Sequence, residues 1–144
     1  MLAIALAAGA LSGAILLFLS HVAPRFGAGN FIRDLDQPRL FGRELSCREA
    51  HVLGSLVHIC ISALFGFGYG ILVEQQVFGG FELLPLLGWS LIMSLFVGGV
   101  LLPLEGHGIF GVREDVWFPV DLIITNAFWA VLFWLILQWW PSAL

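Results

Sequence analysis

The chain has 144 residues, of which 60% are hydrophobic and only 11% charged, and its mean hydropathy is +0.98. Soluble domains carry about 25% charged residues, so this composition excludes an ordinary water-facing surface and makes lipid the solvent for most of the chain. The formal net charge of −4 hides a segregation of charge: the six cationic side chains are all arginines, and no basic tract or fingerprint points to nucleic acid.

A hydrocarbon core of about 30 Å needs about 20 apolar residues in a helix. Four stretches meet that length: residues 2–20, 52–73, 83–104 and 119–140. Open backbone groups go unsatisfied in lipid, so these must be helices; a barrel would show alternating segments about half as long. The expected fold is all-α: one polytopic membrane domain over residues 1–144, with four transmembrane helices bundled as two helical hairpins.

The first span opens on Met1-Leu2-Ala3-Ile4-Ala5, without the positive region of a signal peptide, and reads as a retained helix. Ala5, Gly9 and Gly13 recur every fourth residue along it. Such rows let helix backbones approach closely, the main packing device where no hydrophobic drive exists. The loop over residues 21–50 is too long for a simple turn, and Asn30 to Asp36 mixes apolar with charged residues in the manner of a short interfacial helix. Ser46 with Glu49 has the spacing of a capping box, which starts the second helix ahead of the lipid.

The second span carries Ser62, Gly66 and Gly70, a small-residue row to match the first. The third carries Ser90, Ser94 and Gly98. The fourth lacks such a row and is aromatic, with Trp117 and Trp139–Trp140 placed for interfacial belts. Trp129, Phe133 and Trp134 lie deeper and are expected to face lipid or a partner subunit. Pro24-x-x-Gly27-x-Gly29-x-Phe31 after the first span echoes Pro103-x-x-Gly106-x-Gly108-x-Phe110 after the third, with the spacing of two duplicated hairpins or of two helices ended alike.

Arginines set orientation. Arg25, Arg33, Arg39, Arg43 and Arg48 lie between the first two spans and Arg113 between the last two, whereas the loop holding Glu74 and Glu82 has no cation. Both arginine loops are therefore expected in the cytoplasm and both termini outside, in a bacterial inner membrane.

An ionisable residue within a span is a functional candidate. His58 is the clearest, more than two helical turns past Glu49 and so about 10 Å into the membrane. A second group, Cys47, His51, Glu105, His107, Asp121 and Asn126, with Thr125 beside it, is expected to gather at the cytoplasmic end, where it could hold a metal, bind a lipid head group or lock the helix ends together. His51 and His58 stand about 10 Å apart, too far to share one ion. Haem held by two histidines would need a second histidine at the depth of His58. Cys47 and Cys60, on one helix, are too far apart in height for a disulfide. Nucleophile motifs, phosphate loops and dinucleotide fingerprints do not occur, so no catalytic residue is expected.

At Leu53-Gly54-Ser55 with His58, at Gly66-x-Gly68-Tyr69, and at Pro103-x-x-Gly106-x-Gly108-Ile109-Phe110-Gly111, the chain resembles a family of small, uncharacterised four-span bacterial inner-membrane proteins. The resemblance implies a compact four-helix unit and no established reaction. A histidine that it would place in the fourth span is replaced here by Thr125-Asn126.

Three functions fit these features. The first is an accessory or structural subunit of a larger membrane complex, with lipid, other subunits or a second copy as partners. The second is an oligomeric small transporter or channel with His58 lining the path. The third is a haem- or metal-binding redox unit using His51, His58, His107 and the cysteines.

Overall fold

The computed structural model describes residues 1–22, 39–40, 43–44, 46–113 and 115–140. Helix α1 spans Leu2–Val22 and α2 spans Cys47–Glu74. Helix α3, Leu83–Phe96, continues through a π-helical turn at Val97–Leu101 into the single turn α4, Leu102–Leu104. Helix α5 spans Phe118–Gln138. Between α1 and α2, Arg39–Leu40 (β1) pairs antiparallel with Arg43–Glu44 (β2). The interfacial helix expected over 30–36, and with it the first copy of the Pro/Gly echo, lies outside the described residues.

Four helical stretches are long and apolar enough to cross a membrane: Leu2–Val22, His51–Glu74, Leu83–Leu104 and Phe118–Gln138. They form a four-helix bundle. Helix α1 packs most closely on α2, α3 on α5, and α5 also lies along α1, so the two hairpins meet through their first and last helices. Ser46 caps α2 as expected: its hydroxyl accepts the Glu49 N–H at 3.3 Å, and the Glu49 carboxylate accepts the Ser46 N–H at 3.0 Å.

The small-residue rows of α1 and α2 interlock. A Cβ at Gly9 would stand 2.5 Å from the Ser62 carbonyl oxygen, and one at Gly66 would stand 2.5 Å from that of Ala5. A Cβ at Gly70 would come within 2.9 Å of the Ala5 Cβ. Only bare backbone fits along this seam. Between α2 and α3 the filling is aromatic instead. The Trp89 indole N–H donates to the Phe65 carbonyl at 3.0 Å, and Phe65 also packs on Phe96. Tyr69 stacks on Phe78 and gives its hydroxyl proton to the Gly80 carbonyl at 3.1 Å, which closes the 75–82 loop over that end of the bundle.

The aromatic face of the fourth span requires a correction. Trp129 and Phe133 are fully buried, stacked on each other at 5.1 Å in the core, and Trp134 packs half-buried against that core. Trp129 and Phe133 are therefore not a lipid or docking face. Gly9 and Gly66 leave the space that these rings fill: the Trp129 N–H donates to the Gly9 carbonyl at 3.3 Å, and the Phe133 ring lies against Gly66. Trp117 and Trp139 are exposed at opposite ends of α5, where belts were expected.

Ser90 and Ser94 are buried in α3 as packing residues, but Gly98 receives the Phe110 ring from the following loop instead of a neighbouring helix. The π turn supports this change. Pro103 has no N–H to give the Gly99 carbonyl, and its ring would crowd that group; the Leu102 N–H bonds to Val97 across the widened turn. Phe110 takes a left-handed conformation (φ 54°, ψ 21°) to turn its ring back, which costs a bulky residue about 1–3 kcal/mol.

Candidate functional site

The centre of interest is the cleft side of α2, at His58 and Ser62. They lie one helical turn apart and face Gly13 of α1. A Cβ at Gly13 would fall 2.5 Å from the Ser62 Oγ and 3.7 Å from the His58 Cδ2. The absent side chain therefore makes room for both groups. Counted from His51 at the start of the span, His58 is about 10 Å and Ser62 about 16 Å in, close to the middle of the membrane-crossing stretch.

His58 Nε2 and Ser62 Oγ are both shielded from solvent, and neither has a hydrogen-bond partner. An unmet buried donor or acceptor costs about 1–3 kcal/mol. Two on adjacent turns are a concentrated cost in one short stretch of the seam. Sequence reasoning singled out His58 as ionisable. It assigned Ser62 to packing alone, because a serine at small-residue spacing looks the same in either role.

The other buried polar side chains within the described spans are satisfied. Ser12 donates to the Ala8 carbonyl at 2.7 Å, and Ser94 donates to that of Ser90 at 2.8 Å. Asn126 gives its side-chain N–H to Ser94 Oγ at 2.9 Å, both residues being buried. This corrects the expected place of Asn126. It stands about 12 Å along α5 from Phe118, inside the bundle and away from the helix ends.

The expected terminal cluster is thus divided. Glu105, His107 and Asp121 stay near the joined ends of the third and fourth spans, with His107 buried. Burial pushes the Glu105 carboxyl above its ordinary range, opposed by the nearby His107. His51 turns to His21 of α1, which the sequence analysis did not single out, with their Nε2 atoms 3.0 Å apart. That pairing depends on how α1 and α2 meet, which no local spacing reveals. Cys47 opens α2, but its thiol lies outside the described residues, and Cys60 is a free, exposed thiol.

The donor sets for metal or haem are sparse. Among the described residues, no three His, Cys, Asp or Glu side chains converge as a metal site. His21 and His51 stand at the helix ends and His107 follows the end of the third span, so no second described histidine reaches the depth of His58.

Comparison of the chain with protein-family models, with curated proteins and with solved structures found no match. The resemblance to small four-span bacterial proteins therefore rests on its glycine, histidine and proline motifs alone.

Proposed function

We propose that the chain is a small membrane transport unit in which His58 and Ser62 bind a proton or small polar solute on its way across the bilayer. The observation that carries this reading is the pair of shielded, partnerless atoms, His58 Nε2 and Ser62 Oγ, near the middle of the second span. Ionisable groups at such depth are costly, and they mark substrate and ion pathways or proton relays. Four helices are few to enclose a path, so self-association completes its wall. The arginine asymmetry supports an orientation with both arginine loops in the cytoplasm of a bacterium and both termini outside.

The accessory-subunit reading would have to find a docking surface other than Trp129 and Phe133, which the bundle itself covers.

Proton flux into liposomes containing the purified protein and an internal pH-sensitive dye tests the proposal, with a polar-solute efflux assay run in parallel. Wild-type protein should carry one of the two. His58→Leu should abolish that flux and Ser62→Ala should reduce it. Equal flux in wild type and His58→Leu, or no flux of either kind above protein-free liposomes, would refute the reading.

A further inference from the structure

At the far end of the α1–α2 seam from Tyr69, His21 and His51 meet edge to face, with ring centroids 4.8 Å apart and planes at 87°. Their Nε2 atoms are 3.0 Å apart. His21 Nδ1 lies 2.8 Å from the Leu17 carbonyl oxygen. A carbonyl can only accept, so Nδ1 carries the proton and His21 Nε2 presents a lone pair toward His51.

We propose that His21 and His51 form a two-imidazole site for a first-row transition-metal dication, Zn²⁺ or Cu²⁺, that clasps the ends of α1 and α2. Three features of the pair carry this. Bonds of about 2.1 Å at angles between a right angle and the tetrahedral value separate two ligand nitrogens by about 3.0–3.4 Å, and the observed 3.0 Å stands at the right-angle end of that interval. The Nδ1–carbonyl bond of His21 is the outer contact that usually fixes the tautomer and orientation of a metal-ligating histidine. Both rings are exposed, so an ion can reach them and solvent can fill the remaining positions.

Without metal, the His51 Nε2 proton bridges the two rings. Metal binding moves the His51 ring proton from Nε2 to Nδ1, leaving two neutral imidazoles each donating an Nε2 lone pair, with no net change in proton count. The site is independent of His58, one imidazole from each of two helices, and it would link them as a clamp whether or not the protein transports anything.

The test uses the full chain in detergent micelles, titrated with ZnCl₂ by calorimetry and with CuCl₂ by electron paramagnetic resonance. The expected result is one ion per chain at micromolar affinity, a copper spectrum with hyperfine coupling to two imidazole nitrogens, and a raised unfolding temperature with Zn²⁺. His21→Asn and His51→Asn should each weaken binding by about tenfold or more, since losing one of two protein ligands should matter at least as much as losing an outer-shell partner. Absence of binding in the wild type, coupling to fewer than two nitrogens, or unchanged affinity in the double variant would overturn the proposal and leave a hydrogen-bonded imidazole pair. Should a variant lose its helical circular dichroism, the nitrogen count in the wild-type copper spectrum decides alone.

Discussion

Trp129 of α5 reaches across to α1 and donates its indole N–H to the backbone carbonyl of Gly9, 3.3 Å away and fully buried. One residue thereby ties the second hairpin to the glycine seam of the first. Replacing Trp129 with Phe keeps much of the ring and removes this bond, so it should cost about 0.5–1.5 kcal/mol. Trp129→Ala also opens a cavity and should cost about 3–5 kcal/mol. Unfolding of the purified protein in mixed micelles, followed by circular dichroism, separates the two; an unchanged stability in Trp129→Phe would mean the indole N–H contributes nothing.

Glycine positions that look alike in the sequence should behave in opposite ways. Gly9→Ala places a Cβ against the Ser62 carbonyl, which cannot move without shifting α2, and should destabilise by about 1–3 kcal/mol. Gly54→Ala meets nothing within 4 Å, and its better helix propensity should stabilise by up to about 1 kcal/mol. The same unfolding assay checks both, and a loss at Gly54 as large as at Gly9 would contradict the seam.

The Asn126–Ser94 bond predicts an asymmetry. Ser94→Ala strands a buried amide, whereas Asn126→Leu removes the amide and leaves Ser94 with its bond to Ser90. Ser94→Ala should therefore be the more damaging change. A double-mutant cycle should give a coupling of about 0.6 kcal/mol and no more than about 1.7 kcal/mol, the range found for hydrogen bonds between membrane helices. A coupling near zero would show that the amide finds another partner.

Glu105 lies past the third span, and burial raises its carboxyl against the opposing effect of His107. An acid whose folded pKa is raised binds its proton more tightly in the folded state. Its contribution is thus favourable at low pH and is lost as pH climbs from the ordinary carboxylate range through the raised folded value. Glu105→Gln should flatten the fall in unfolding temperature across that interval and leave the protein more stable than wild type above it. An unaltered pH profile would assign the slope to other groups.

Much of this fold was legible because lipid imposes so few solutions. The lengths of the four spans, the Ser46–Glu49 cap and the interlocking rows of Ala5, Gly9 and Gly13 with Ser62, Gly66 and Gly70 follow from backbone satisfaction and close approach. The inward face of α5 was not legible, since lipid and bundle interior are both apolar and periodicity cannot tell them apart. One physical clue was present: an indole N–H deep in a span needs an acceptor, and Trp129 could find one only by turning inward. His58 stood out by its charge chemistry. The partnerless state of Ser62 and the meeting of His21 with His51 arise only from the way α1 and α2 are apposed.

The π turn at Val97–Leu101 lets one additional residue loop out of the regular hydrogen-bond ladder without breaking the helix. An α-helix advances about 100° per residue, so residues beyond the turn are rotated by roughly that amount from where a count begun at Ser90 and Ser94 would put them. The azimuth of Pro103 and the direction in which the chain leaves toward Glu105 and His107 are thereby uncoupled from the face that meets Asn126. Shortening Val97–Leu101 by one residue would remove the extra residue and swing that whole exit around the helix, while Pro103 would still leave the carbonyl four residues before it without an N–H, so the span tolerates a change of length at this point only by moving the loop it feeds.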